Sequence, residues 1–186
     1  MMRIATAVVL VLLGAGAEAQ LRPDSCRAQI PRSLADALAR TFRGYRAPLE
    51  TDNAPEDINH SQEHGGTGCL GVRIADFTGE GKREYLVGLT ALKGSSGLAV
   101  IAFPKKGGWR FQKIQSWSEG ARFRQYVDAV PPGKYDRKAA QTAPLGPGET
   151  TSMNCPNWGA LVGTVEATAI VYCYVGGRWM HVWTSS

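Results

Sequence analysis

The sequence lacks several features that mark common classes of protein. Beyond residue 20, no apolar run is long enough to cross a bilayer as a helix, so we expect no transmembrane segment there. No two cysteines are spaced C-x-x-C, which argues against a thiol redox motif or a zinc knuckle. The segment Gly94-Ser95-Ser96-Gly97 lacks the G-x-S-x-G spacing of a serine hydrolase, and its neighbours indicate a turn. We also find no internal repeat.

The first residues, in contrast, carry a pattern that is typical of a secretory signal peptide. A single Arg3 precedes an apolar run over residues 4–13, and small residues follow up to Ala17-Glu18-Ala19. We therefore expect a signal peptide at 1–19 and a periplasmic or secreted location. The mature chain, residues 20–186, has a length that suits one domain with one core.

Four cysteines follow the predicted signal peptide: Cys26, Cys69, Cys155 and Cys173. An even number of cysteines in an oxidising compartment favours disulfides over free thiols or metal ligands. Three connectivities are possible. We favour Cys26 with Cys69 and Cys155 with Cys173, because the second pair would close a short loop across neighbouring C-terminal strands.

The distribution of apolar residues predicts an α+β domain. Leu34, Leu38 and Phe42 repeat at four-residue intervals before Gly44, which indicates one N-terminal amphipathic helix. From Cys69 onward, short runs rich in Val, Ile, Tyr and Trp alternate with turn residues, which indicates strands. We expect the helix to pack on a mainly antiparallel β structure, either a sandwich or a partly open barrel. The predicted strands lie at 70–77, 83–91, 97–103, 109–117, 121–130, 160–164, 167–175 and 178–184, with a long loop at 131–151.

Oxygen-bearing groups recur between the first two predicted strands with the spacing of an EF-hand-type calcium loop. Positions 1, 3, 5, 7 and 9 of that loop are taken by Asp76, Thr78, Glu80, Lys82 and Glu84. Lys82 would bind through its carbonyl, and Gly81 at position 6 allows the sharp turn that makes the oxygens converge. The spacing predicts a Ca²⁺ site. A plain hairpin turn through Gly79-Glu80-Gly81 is the other interpretation.

This segment resembles the D-x-[DN]-x-[DN]-G-x-x-D loops of FG-GAP and VCBS-type β proteins. Those loops join two strands and end in an apolar strand, as Tyr85-Leu86-Val87 does here. The segment is also similar to the equivalent loop of periplasmic lysozyme-inhibitor and effector-immunity domains. Thr78 and Glu80 depart from the usual Asp or Asn. The resemblance covers about 15 residues and implies an extracytoplasmic β protein that binds a partner.

A second motif, His60-Ser61-Gln62-Glu63-His64, spells the H-x-x-E-H of inverted zinc peptidases. There, His60 and His64 would bind zinc and Glu63 would activate a water molecule. The surrounding residues 47–68 predict a polar surface loop with one short helix, which Gly65-Gly66 would end. No later segment offers a helix with a third carboxylate ligand, so a solvated loop is the preferred interpretation. A small secreted metal-dependent hydrolase is the alternative function.

Charged and aromatic residues are unevenly distributed in this chain, whose net charge is +5. Residues 105–138 carry nine basic and three acidic side chains, interleaved with aromatic residues. In a secreted protein, we expect such a stretch to face solvent, an anionic envelope component or a protein partner rather than nucleic acid.

Aromatic residues also concentrate near the C-terminus. Trp179, His181 and Trp183 alternate along the last predicted strand, and Tyr172 and Tyr174 share one face of the strand before it. They would form either an aromatic surface or, as we prefer, part of a core between two layers. We expect a non-catalytic binding protein, an inhibitor or immunity-like partner of an envelope enzyme, with a calcium-stabilised loop.

Overall fold

The computed structural model describes residues 22–117, 125–138 and 143–185. The predicted signal peptide at 1–19 lies outside these ranges. The helices are α1 (Ser25–Gln29), α2 (Arg32–Thr41) and α3 (Pro55–Glu63), with a 3₁₀ turn at Glu50–Asp52. The strands are β1 (Tyr45–Arg46), β2 (Val72–Ala75), β3 (Glu84–Ala91), β4 (Gly97–Lys105), β5 (Gly108–Trp117), β6 (Gln125–Val130), β7 (Gly133–Asp136), β8 (Ser152–Cys155), β9 (Gly159–Thr164), β10 (Thr168–Val175) and β11 (Arg178–Ser185).

The strands form two main antiparallel sheets and a separate hairpin. In the first sheet, β3, β4 and β5 are neighbours in that order, and β1 and β2 both pair with the free edge of β3. The second sheet has the order β11-β10-β9-β6, and β7 pairs with β8. Across the described ranges, the sheets do not close into a barrel, so of the two predicted architectures the structure has separate, layered sheets.

Each of the eight predicted strand segments overlaps an observed strand. Residues 121–124 of the predicted segment 121–130 lie outside the described ranges. The prediction was wrong about the long loop at 131–151, because β7 lies within it and pairs with β8 just after it. Both strands are four residues long and mostly polar, so they carry little of the apolar alternation that marks a strand.

The main core lies between the two sheets. Phe77, Leu86 and Ile101 from the side of the first sheet meet Val127 and Val162 of the second. The residues at alternate positions of the central strands are also buried, on the outer faces. Both sheets are therefore covered on two sides, which explains why β3 and β4 read as nearly continuous apolar runs rather than as an apolar and polar alternation.

Helices α1 and α2 cover the outer face of the first sheet. Leu34 and Leu38 of α2 lie one turn apart and are both buried, in a cluster that includes Val87 and Val100. Phe42 follows at the end of α2 and packs against Phe111 of β5, edge to face, with ring centroids 5.5 Å apart. No helix in the described part of the chain combines the length and apolarity that crossing a membrane requires.

A disulfide ties each outer layer to the layer beneath it. Cys26 of α1 is bonded to Cys69, just ahead of β2, with Cα atoms 4.9 Å apart. Cys155 of β8 is bonded to Cys173 of β10, with Cα atoms 5.4 Å apart. The favoured connectivity is therefore the observed one. The second bridge joins the β7–β8 hairpin to the second sheet, rather than two neighbours within one sheet as the sequence argument assumed.

The two sheets are held together along one edge and enclose a cleft near the other. On the closed edge, the Val127 N–H donates to the Leu70 carbonyl at 2.8 Å, and Asn53 Nδ2 donates to the Gln125 carbonyl at 2.8 Å. On the other edge, a cavity of about 280 Å³ lies between β5 of the first sheet and β10 and β11 of the second. We call it the intersheet cleft.

Candidate functional site

The predicted calcium loop joins β2 to β3 and is folded around Asp76. Oδ1 of Asp76 accepts a hydrogen bond from the Gly79 N–H at 2.8 Å, and Oδ2 accepts one from the Gly81 N–H at 2.8 Å. Both glycines have left-handed backbones, with φ of 78° and 70°. This conformation costs glycine little, and it lets both amides point at a single carboxylate.

Glu84 closes the same loop from the inside. It is only 1% exposed, and Oε2 accepts from the N–H groups of Phe77 at 2.9 Å and Thr78 at 3.0 Å. Its other oxygen accepts from the Thr78 hydroxyl at 2.5 Å. Burial raises the pKa of Glu84 above its usual value, although these hydrogen bonds oppose the shift. The side chain therefore holds the loop backbone from within the protein.

The remaining predicted ligands lie at the exposed tip of the loop. Glu80 and Lys82 form a solvent-exposed ion pair, with Nζ and Oε2 2.8 Å apart. The five predicted positions thus divide between an exposed side, with Glu80, and a buried side, with Glu84. Within the described residues, no group of three or more His, Cys, Asp or Glu side chains is arranged to hold a metal ion. Calcium binding stays a prediction from the sequence.

The H-x-x-E-H segment forms the end of α3 and lines an open groove. The rings of His60 and His64 lie one turn apart, with centroids separated by 4.2 Å. Nδ1 of His64 donates to the His60 carbonyl at 2.8 Å, which leaves Nε2 as the free ring nitrogen. Across the groove lies the ion pair of Arg73 and Asp128, at 2.8 Å.

The groove differs in one respect from what the peptidase motif predicts. It has a volume of about 440 Å³, and both histidines line it, but Glu63 does not. A general base has to lie within hydrogen-bonding reach of the water that it activates. The groove therefore contains two neighbouring imidazoles but not the glutamate of the motif; the acidic residues that line it are Asp57, Asp128 and Glu166.

The intersheet cleft is lined by several aromatic side chains. Trp179, His181 and Trp183 lie on one face of β11, because side chains alternate along a strand. Tyr172 pairs with His181 in the register of β10 and β11, and the two rings stack with centroids 5.1 Å apart. Tyr172 itself is 5% exposed and belongs to the core, so for this residue the preferred core interpretation is confirmed.

Polar groups face these rings from β5. A β-bulge between Ala99 and Val100 in the β4–β5 pairing sets Ile114 out of register, and Gln112, Lys113 and Gln115 line the cleft around it. The Tyr172 hydroxyl donates to Oε1 of Gln115 at 2.6 Å, across the space between the sheets. Burial raises the pKa of Tyr172, so the phenol stays protonated and keeps donating.

The rim of the cleft is a segment that runs along the outer edge of β11. The His181 N–H donates to the Gly148 carbonyl, and the Thr150 N–H donates to the His181 carbonyl, both at 2.9 Å. Behind this rim, Glu149 forms a buried ion pair with Arg137, with Oε1 and Nε 3.1 Å apart but not in hydrogen-bonding geometry. Burial lowers the pKa of His181, an effect that outweighs the neighbouring Glu149, and the imidazole is therefore neutral at pH 7.

The sequence indicates the aromatic half of this cleft but not the polar half. The alternation of Trp179, His181 and Trp183 is visible in the chain, whereas Gln112 and Gln115 stand in an ordinary polar stretch. They become cleft residues only because β5 lies opposite β10 and β11. No local pattern encodes that contact.

Comparison with family models gave no match, and comparison with curated proteins and with solved structures gave no significant match.

Proposed function

We propose that this protein is a non-catalytic binding protein of the periplasm or the extracellular space, and that it holds its ligand in the intersheet cleft. The observation that carries the proposal is the cleft itself. Partly exposed rings on one rigid strand face amide groups on another. Binding sites are typically concave and mostly apolar, with a few fixed polar groups that orient the ligand.

Two findings support the extracytoplasmic part of the proposal. All four cysteines are paired in disulfides, which persist in oxidising compartments and are rare in the cytosol. The signal-peptide pattern at 1–19 points to the same route. Export would place the cleft in contact with envelope or extracellular molecules.

The predicted protein partner, an envelope enzyme that this chain would inhibit or neutralise, is an alternative occupant of the cleft. Such a partner would have to insert a side chain or a narrow loop, because a cavity of about 280 Å³ is too small for a helix, which is about 10–12 Å across. The Asp76–Glu84 loop, stiffened by calcium, would then add a rigid surface elsewhere on the domain.

Thermal unfolding in the presence of fractionated envelope extract tests the proposed function. A ligand that binds only the native state raises its melting temperature by mass action. We expect one fraction to stabilise the wild-type protein but not Trp179→Ala, and to stabilise Trp158→Ala as it does the wild type. Trp158 is a suitable control because it is 43% exposed and does not line the cleft. An equal response of Trp179→Ala and the wild type would contradict the proposal.

Metal analysis tests the alternative hydrolase function. We expect the purified protein to contain less than stoichiometric zinc. Stoichiometric zinc that is lost in His60→Ala and His64→Ala, together with hydrolytic activity, would overturn the proposed function.

A further inference from the structure

The intersheet cleft has features that define the kind of ligand it can hold. From the geometry of its lining residues we infer that the cleft binds a saccharide, neutral or anionic, with sugar rings stacked on the aromatic face of β11. This inference rests on the proposed function, since it names the ligand class of the same site.

The spacing of the aromatic residues suits a chain of rings. Trp179 and Trp183 are four residues apart on one face of β11, which separates their Cα atoms by about 13 Å. His181 lies midway, so three flat rings follow one another at intervals of about 7 Å. A single planar ligand would meet one of these rings, whereas an oligosaccharide can follow all three.

The facing strand supplies the hydrogen-bonding groups that hydroxyls and acetamido groups require. Oε1 of Gln115 already accepts from the Tyr172 hydroxyl, so its amide nitrogen is the group left to donate to a ligand. Gln112 adds a second amide on the same strand. Amides both donate and accept, as the hydroxyl groups of a sugar do.

The charge of the cleft separates a saccharide from a cationic ligand. Aromatic clusters also bind quaternary ammonium groups, through the negative faces of the rings. Here, none of the described residues lining the cleft is acidic, and His181 is neutral. Lys113 pairs with Val100, which belongs to the helix-side core, so its side chain projects from the outer face of β5. The rings therefore have no carboxylate beside them to balance a bound cation, whereas a sugar needs no such counter-charge.

Titration with two defined trisaccharides tests the inference: tri-N-acetylchitotriose, which is neutral, and trigalacturonic acid, which is anionic. We expect at least one of them to bind the wild-type protein, as measured by calorimetry. Trp179→Ala should weaken that binding about tenfold or more, as truncation of a main aromatic contact does. Trp179→Phe keeps a ring for packing, so its affinity should lie between those of the wild type and Trp179→Ala. Trp158→Ala should bind with the affinity of the wild type.

Lys113→Gln is a charge control, because the side chain of Lys113 lies on the outer face of β5, with that of Val100. Lys113→Gln and Lys105→Gln on the same hairpin should alter the binding of neither trisaccharide. The inference is overturned if neither trisaccharide binds at millimolar concentration, or if binding is indifferent to Trp179→Ala. If the trisaccharides do not bind but an extract fraction stabilises the wild-type protein and not Trp179→Ala, only the saccharide assignment fails. If no fraction does so, the proposed function fails as well.

Discussion

Replacement of Glu84 by alanine is expected to destabilise the domain strongly, although the residue is a predicted metal ligand. The Glu84 carboxylate accepts three hydrogen bonds, from the N–H groups of Phe77 and Thr78 and from the Thr78 hydroxyl. Phe77 is fully buried, so water cannot replace the acceptor that its N–H loses. One unsatisfied buried donor costs about 1–3 kcal/mol and the other two bonds about 0.5–1.5 kcal/mol each. Since the variant no longer buries a carboxylate, we expect a net loss of about 2–4 kcal/mol.

Urea unfolding of the oxidised protein at pH 7 measures this loss, as a lower midpoint at an unchanged m-value. Glu84→Gln keeps an oxygen for the two backbone N–H groups and can donate its NH₂ to the Thr78 oxygen, so it should cost less than about 1 kcal/mol. Glu80→Ala is the matched control in the same loop, because Glu80 makes an exposed ion pair, which contributes little to stability. Equal midpoints for Glu84→Ala and Glu80→Ala would refute the reasoning.

The pH dependence of stability offers a second check on Glu84. Its pKa in the folded state is raised above the unfolded value, so the folded protein retains the proton to higher pH. The stabilisation that this proton provides is fully present below the pKa of Glu84 in the unfolded state. It is lost as pH rises through the pKa of Glu84 in the folded state. Glu84→Gln should lack this decline on the alkaline side of pH 4.5, and an identical pH profile for wild type and variant would count against a buried carboxylate.

Three further predictions concern other parts of the molecule. The pKa of His181 is lowered in the folded state, so its contribution is present above its ordinary pKa of 6.5 and is lost as pH falls; His181→Gln should flatten this acid-side loss in thermal melts. Millimolar Ca²⁺ should raise the melting temperature, and Asp76→Ala should abolish that increase; identical melts with Ca²⁺ and with chelator would reject the predicted calcium site. Removing the Cys155–Cys173 disulfide, which spans 18 residues, should cost about 3 kcal/mol in urea unfolding, whereas a loss below about 1 kcal/mol would show that the β7–β8 hairpin stays docked without it.

The strands could be predicted because each central strand buries apolar residues and is bounded by turn residues. The hairpin turn at Gly176-Gly177 shows this most clearly, since both glycines have positive φ. The β4–β5 turn lies at Lys106-Gly107, and Gly108 already belongs to β5. The short elements could not be predicted in the same way. Helix α1 has five residues and β1 has two, so neither contains a full period of an amphipathic pattern.

The sequence could locate the Asp76–Glu84 loop but not the direction in which its carboxylates point. Asp76 and Glu84 look alike in a spacing pattern. In the structure, Asp76 binds the amides at the tip of the loop, whereas Glu84 starts β3 and is buried. That difference depends on Phe77, which enters the core between the sheets and draws its own N–H group inside. Burial of this kind is set by the whole fold rather than by the loop.

The cleft depends even more on tertiary structure. Its aromatic face follows from one strand and its register, but the face that contains Gln112 and Gln115 follows from the packing of two sheets and from the bulge at Ile114. The sequence alone can therefore identify Trp179 and Trp183 as candidate binding residues. It cannot show that amide side chains lie opposite them.

The indole N–H signals of the five tryptophans, recorded by NMR during titration with the trisaccharide that binds, test the central claim most directly. A ligand in the intersheet cleft should shift the signals of Trp179 and Trp183, which line it, and leave those of Trp109 and Trp158 unchanged. Assignment comes from the single Trp→Phe variants. Shifts confined to Trp109 or Trp158 would place the ligand elsewhere and contradict the account.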